Sequence, residues 1–468
     1  MIGRIERVKR IVVIGAGHVG LYVAERLGKK LKSEIKKGQV EVMVIDRNQH
    51  MTYQPLLPEA AAGSLSPRHA IIPLRSVLKS CTLVTGEVTR IQHSDKTVTV
   101  QPATGPAREI EYDDIVVAPG SVSRPLPVPG LAENAIGFKS IGEAIWLRSH
   151  ILSRFDVAAS TEDPEVRKAA LRFVTIGGGF AGCEAMAEMQ DACNAIIKKR
   201  YPELDPDEME WYLIEATGRI MPEVGPEMGA YAARQLTKRG VDVRLETVMK
   251  SCENGHVVLA DGDEFDCDTI IWTAGVMPTP MLKDTDFPLG PKGHIMGNTR
   301  LQVIEEDVED PKNDFGRPIE GAWAAGDSAQ IPDTSDFPIP YCTPSAQHAV
   351  RQAQVLADNV YAKYINTELK AYEHKYIGSV AGLGLYKGVA HVYGMKVRGF
   401  MAWLMHRGYH LMKVPGTSRK ARILVDWIVT SLSSREMAQL SEIEEGRRPF
   451  EAIASGGKPY RPVDHGTD

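Results

Sequence analysis

Thiol chemistry is nearly missing from this sequence. Six cysteines (Cys81, Cys183, Cys193, Cys252, Cys267, Cys342) are scattered through 468 residues with no CxxC or CxxxxC pair and no zinc-ligand spacing. Neither a redox-active disulfide nor a metal site is expected, and the thiols read as buried side chains in a reducing compartment. Runs of about 18 apolar residues, the length that signals a membrane-crossing helix, are absent. The opening MIGRIERVKR has no signal-peptide-like apolar region, which places the body of the protein in the cytoplasm. Charge of one sign is lacking too: a formal net charge of −5 carries no signal for nucleic acid. What remains is an ordinary globular composition, 43% apolar and 25% charged, in a chain long enough for two or three domains.

The most informative stretch is RIVVIGAGHVG, residues 10 to 20. Ile11 to Ile14 predict a buried parallel strand that runs into Gly15, Gly17 and Gly20 at the spacing G-x-G-x-x-G, followed by a helix-like run, LYVAERLGKKLKSEIKK. Strand, glycine turn and helix form the context that makes this motif meaningful for a dinucleotide. Gly15 permits the turn, Gly17 lets backbone approach a pyrophosphate, and Gly20 lets helix and strand pack closely. The helix N-terminus offers unpaired N–H groups to the anion. A second strand, VEVMVID, ends at Asp46, placed to accept from a ribose hydroxyl. Arg47 follows, facing adenine or phosphate. Next comes HMTYQPLLPEAAAGSLSPRHAIIPLRSVL, read as a long functional loop. Strands around Val88 and from Ile115 to Ala118 follow. The latter stops at Pro119-Gly120, where small residues let a flat cofactor lie on backbone.

The motif occurs twice. LRFVTIGGGFAGCEAMAEM repeats it with Gly177, Gly179 and Gly182, and Ala181, Ala185 and Ala187 suit a closely packed helix. Its second strand, EWYLIEA, ends at Glu215, a carboxylate that favours NADH over NADPH, with Arg219 nearby weakening that preference. Another strand-end turn falls at Ala274-Gly275. Glu184 stands in the first turns of the second motif's helix. It either stabilises the helix start through the dipole or bonds a nicotinamide carboxamide; Glu188, one turn later, reads as structural. GAWAAGDSAQ, containing Asp327, resumes the first fold, and a helix follows from Ala346-Gln347. After about 372 the chain turns to strands, then to two amphipathic helices. Val397, Phe400, Met401, Leu404, Leu411 and Met412 share one face, and Leu424, Val425, Ile428 and Leu432 another. Seven Lys/Arg and no acidic residue fall between Lys396 and Arg422, with Trp403 and Trp427 as interfacial anchors. This reads as a pair of helices lying on an anionic membrane, or else as a dimer contact or a packed helix. The tail from 433 is polar and partly disordered.

Two motifs, each with its own strand-end acid, argue for two dinucleotides and an α/β fold of two Rossmann-like three-layer domains. The arrangement resembles the two-dinucleotide-binding-domain flavoproteins. Within them the chain resembles the type II NADH dehydrogenases, the single-subunit NADH:quinone oxidoreductases, from about residue 8 to 432. TYQPLLPEAAAGSLSP, GGGFAGCE, WAAGD, PSAQHAVRQ and the basic C-terminal helices carry the likeness. The resemblance implies FAD on the first fold, held by Gly15, Gly17, His18, Val19, Gly20, Asp46, Arg47, Gln54, Val88, Ala118, Gly120, Asp327, Ala346, Gln347 and Lys387. It implies NADH on the second, held by Gly177, Gly179, Phe180, Gly182, Glu184, Glu215 and Gly275. Asp327 would contact the ribityl chain, Gln54, Pro55 and Leu56 the flavin edge, Glu184 the carboxamide, and Gln347 the head of a membrane quinone (menaquinone or ubiquinone). Glu184 and Gln347 are the expected catalytic pair. Arg351 stands where the family commonly has a second Gln, with Gln352 beside it.

The same resemblance implies residues 1–140 and 291–371 as the FAD-binding domain and 141–290 as the inserted NADH-binding domain. It implies 372–432 as a C-terminal strand-and-helix anchor, with membrane contact through 396–432. A peripheral location on the cytoplasmic face of the cell membrane, a homodimer and no nucleic-acid partner complete the expectation. The rivals are a sulfide:quinone oxidoreductase using Cys183 and Cys342, a soluble ferredoxin- or rubredoxin-type reductase, and a flavin-bearing scaffold or signalling protein.

Overall fold

The computed structural model describes residues 7–435 except 307, 312–313, 336–339, 375–376 and 434. The tail from 436 lies outside the described residues. Strand β1 (Lys9–Ile14) enters the glycine turn, helix α1 (His18–Lys30) leaves it, and β2 (Val40–Asp46) returns alongside. A short helix α2 (Leu57–Ala61) and strands β3 (Thr82–Thr85) and β4 (Asp114–Val117) follow. The chain then builds a second sheet. This comprises β5 (Ala135–Gly137), helix α3 (Ile141–Ser160), β6 (Arg172–Ile176), helix α4 (Phe180–Arg200), β7 (Glu210–Ile214), β8 (Val241–Arg244) and β9 (Thr269–Trp272). It rejoins the first sheet through β10 (Gln302–Ile304) and β11 (Pro318–Ala324), then forms helix α5 (Ala346–Tyr364). Strands β12 (Gly378–Gly382), β13 (Gly388–Val392) and β14 (Met395–Arg398) precede helices α6 (Phe400–Lys413) and α7 (Thr417–Leu432).

The first sheet runs β10-β11-β4-β1-β2-β3 and is parallel except for β10; the second runs β5-β9-β6-β7-β8 and is parallel throughout. Ile11, Val12, Val13 and Ile14 are at most 2% exposed, as a strand covered on both faces requires. Both glycine loops thus leave the C-terminal ends of central strands, where open α/β sheets bind ligands.

Two expectations change here. The 50–78 stretch is no open loop: it holds paired strands at 50–52 and 71–73 and helix α2, whose residues are all buried. Leu56 and Ala60 join the first core while Leu57 and Ala61 join the second, so this stretch clamps the two sheets together. Trp403 and Trp427 are not interfacial anchors. Both are 8% exposed, because each covers a face of the buried Arg407 guanidinium, at 4.6 and 4.8 Å. Leu411 also packs partly against the first core. The outward face of the two helices consists instead of Phe400, Met401, Leu404 and Met412 with Leu424, Val425, Ile428 and Leu432. No helix among the described residues is long and apolar enough to cross a membrane.

Candidate active site

Each glycine loop is fastened by the acid at the end of the neighbouring strand. Asp46 Oδ2 accepts the Ala16 N–H at 2.7 Å, and Glu215 Oε2 accepts the Gly178 N–H at 2.7 Å. The pairs occupy the same place in the two motifs. At Gly15, φ is +83° and an added Cβ would lie 2.5 Å from the Ala118 carbonyl oxygen, so only glycine fits. The middle glycines differ. A Cβ on Gly17 or Gly179 would meet nothing within 4 Å, so both loops face open space at the start of a helix. A dinucleotide pyrophosphate fits such a cradle by charge and by shape.

The first cradle is closed by residues from far along the chain. Asp327 Oδ2 accepts the Ser121 hydroxyl at 2.7 Å, and Ser121 Oγ in turn accepts from Lys139 Nζ at 2.6 Å. Gln54 Nε2 donates to the Lys139 carbonyl at 3.3 Å. Lys139 is therefore a site residue the sequence reading missed; a lysine before a helix-capping serine carries no motif of its own. His18 Nε2 is buried without a protein hydrogen-bond partner. Burial lowers its pKa to about 4, against the pull of Asp327, so it is a neutral ring with one unpaired nitrogen beside the first glycine loop. These features fit FAD in the first cradle. Val19 and Val88 are core residues there, and Arg47 is exposed.

The second cradle leads to Glu184, which is 9% exposed. Its Oε1 accepts the Gly382 N–H at 2.8 Å and lies 3.0 Å from His406 Nε2 of α6. Burial alone would lower the His406 pKa, but the Glu184 and Glu59 carboxylates raise it above the ordinary imidazole value. His406 also faces His410, their rings 4.6 Å apart. His410 Nδ1 lies 3.3 Å from Tyr53 Oη, and the Tyr53 ring lies 5.7 Å from His18. A histidine pair one turn apart on α6 thus links both cradles, and the HRGYH spacing was the available clue.

Below this junction lies a buried charge cluster. Arg407 is 3.5 Å from Glu59 and 3.8 Å from Glu188, and Arg435 is 3.1 Å from Glu188. Trp427 Nε1 donates to Glu59 at 2.5 Å. Burial, opposed by Arg407, raises the Glu59 pKa. Two cations neutralise two carboxylates, the condition for burying any of them.

At the start of α5, Gln347 Nε2 donates to the Gly378 carbonyl at 2.8 Å, while Ala346 is exposed. Gln352 turns inward: its Oε1 accepts the Gly326 N–H at 2.8 Å and holds the turn before Asp327. Arg351 Nη1 lies 3.1 Å from His374 Nδ1. Lys387 is exposed on the turn between β12 and β13, Phe180 packs partly against the second core, and Gly275 opens on space like Gly120. All six cysteines are free, and Cys183 is fully buried, its thiol pushed well up by burial. Of the seven cations between 396 and 422, Lys396 and Arg398 pair with Glu227 and Arg407 is buried, leaving a weaker basic face than the sequence suggested.

The family described as pyridine nucleotide-disulphide oxidoreductase matches residues 9–353. The type II NADH:quinone oxidoreductase Ndh of Mycobacterium tuberculosis is 28% identical over 436 residues, 91% of this chain and 89% of its own. The type II NADH:quinone oxidoreductase of Staphylococcus aureus is 27% identical over 405 residues, 85% of this chain and 93% of its own. Among solved structures, NDH2 of Plasmodium falciparum in complex with NADH superposes with a TM-score of 0.82. It has 17% identity and covers 92% of this chain and 100% of that one.

Proposed function

The chain belongs to the pyridine nucleotide-disulphide oxidoreductase family, and from that premise we propose that it is an FAD-dependent, non-proton-pumping NADH:quinone oxidoreductase. One observation carries the reading: two open dinucleotide cradles on one chain converge on a junction completed by α6, whose outer face is apolar and exposed. The cysteines lack the CxxC or CxxxxC spacing of a redox-active pair, which argues against thiol exchange despite the family's description. The M. tuberculosis and S. aureus relatives bear the same activity in their names.

When bound, FAD supplies two-electron chemistry, taking hydride from NADH and passing electrons to quinone. The protein's own part is positioning. Gly15, Gly17, Gly20 and the Ala16–Asp46 bond shape the first cradle; Asp327, Ser121 and Lys139 set a polar wall facing a ribityl chain. Gly177, Gly179, Gly182 and Glu215 do the same for NADH, the preferred nucleotide because Glu215 repels a 2′-phosphate. Glu184, oriented by His406 and Gly382, fixes the carboxamide end. Gln347, braced by Gly378, has a second amide N–H to donate to a quinone carbonyl. The domain limits proposed are those of the sequence reading, with 372–432 as the membrane-facing unit.

The reading extends to peripheral attachment on the cytoplasmic face of the cell membrane through α6 and α7, and to a homodimer. Exposed apolar side chains along both helices support the first. Purified protein should show a flavin spectrum and oxidise NADH faster than NADPH when a menaquinone or ubiquinone analogue is added. Turnover that stays at its background oxygen rate would overturn the quinone reading. Leu424→Glu with Ile428→Glu should shift the protein from liposomes to supernatant with its flavin retained. Sedimentation checks the dimer.

A further inference from the structure

We propose that Asp333, Cys342 and His348 form a binding site for one thiophilic divalent cation of the zinc class. The ligand atoms of the three side chains all lie within 4.8 Å of one another. Asp333 and His348 are 6% and 7% exposed, and Cys342 is partly buried. Thiolate, imidazole and carboxylate are the donor types that select zinc over calcium or magnesium.

The backbone brings them together from two directions. Asp333 and Cys342 sit on facing arms of a hairpin, in which Asp333 N–H donates to the Pro340 carbonyl and Cys342 N–H to that of Ile331, at 2.9 and 2.8 Å. His348 comes from the first turn of α5, where Ser345 Oγ accepts its N–H at 3.1 Å. The Tyr372 hydroxyl, 2.9 Å from His348 Nδ1, fixes the ring, an outer-shell contact of the kind metal-ligating histidines carry.

Electrostatics oppose the ion from one side and favour it from another. The α5 N-terminus is positive, and Arg351 lies one turn on, against His374, whose ring is 4.0 Å from His348. A thiolate and a carboxylate cancel the charge of the ion, so the helix end meets a neutral site. Binding needs Cys342 as the thiolate and His348 as the neutral ring, so a bound ion displaces the thiol proton. The bound ion would pin the hairpin to the turn that carries Gln347.

The test uses flavin-loaded full-length protein and Zn²⁺ alone. One zinc per chain should survive gel filtration, and X-ray absorption should show one sulfur at about 2.3 Å with nitrogen or oxygen at about 2.0–2.2 Å. Cys342→Ser should remove the sulfur shell and weaken binding by more than ~100-fold, beyond the usual effect of an outer-shell change. His348→Gln should weaken it comparably, and Cys81→Ser should change nothing. Flavin absorbance reports whether each variant is folded; if His348→Gln loses flavin, Cys342→Ser decides. No retained zinc, a shell of nitrogen and oxygen only, or a sulfur shell that persists in Cys342→Ser would each overturn the site.

Discussion

The two glycine loops are built alike and finished differently. Both are tied by a strand-end carboxylate to the residue after the first glycine, at the same distance. The first is completed by Ser121 and Asp327, with Lys139 reaching in from the turn between β5 and α3. The second reaches outside its sheet: Glu184, on the helix it launches, is held by Gly382 and by His406 of α6. A permanent cofactor calls for a finished cradle, whereas a substrate that comes and goes is served by one that helix α6 helps to shape. Disturbing the His406 position of α6 should therefore affect the nucleotide substrate and spare the flavin.

The largest effects come from filling the open glycines. Gly17 and Gly179 have ordinary extended backbone angles, and an added side chain meets no protein atom, so valine at either leaves the fold intact. Gly17→Val should give folded protein without flavin absorbance. Gly179→Val should keep the flavin and weaken NADH binding at least ~100-fold, about 2.7 kcal/mol, read by anaerobic titration. If both variants lose flavin, the assignment of the two cradles fails.

Arg407→Met comes next. It leaves Glu59 without its cation and Glu188 with only Arg435, at a cost of about 3–5 kcal/mol, measured by urea denaturation. The NADH-binding half should loosen first in hydrogen exchange, since Glu188 lies on α4 while Glu59 bridges from α2. A loss confined to α6 and α7 would show that the cluster anchors only those helices.

His406→Gln is milder. It should raise the NADH KM about tenfold, ~1.4 kcal/mol, with flavin content unchanged; flavin loss would place His406 in the first cradle. The smallest effect is on pH. The folded pKa of His406 is raised by Glu184 and Glu59, against burial, Arg407 and the neighbouring His410. Its stabilisation is fully present below the ordinary value of 6.5 and lost as pH rises through the raised value. The stability gap between wild type and His406→Gln should shrink as the solution is made alkaline, and a gap that widens would mean the pair is neutral.

Both cradles were legible because a strand, a glycine turn and a helix are consecutive, and each residue's task follows from local backbone geometry. The partners were not. Trp427 meets Glu59 across 368 positions and Arg435 meets Glu188 across 247, and no periodicity encodes such pairings. Trp403, Arg407 and Trp427 looked like membrane-facing residues because the basic and aromatic composition of an amphipathic helix does not say which side packs. Gln352 and Lys139 resemble ordinary polar residues until the turns they brace are seen. The same holds for Asp333, Cys342 and His348, whose spacing matches no zinc motif and which meet only because a hairpin folds onto α5.

The burial of Arg435 bears on how the chain is made. Glu188 and Glu59 leave the ribosome long before Arg407 and Arg435, the cations that neutralise them. Domains that emerge early generally fold first, but here the interior around α2 and α4 holds uncompensated carboxylates until Arg435, beyond α7, has been synthesised. Final closure of the NADH-binding half must therefore wait for the C-terminal end. A chain released early, ending at 432, would lack the Arg435 side of this cluster and be a substrate for quality control.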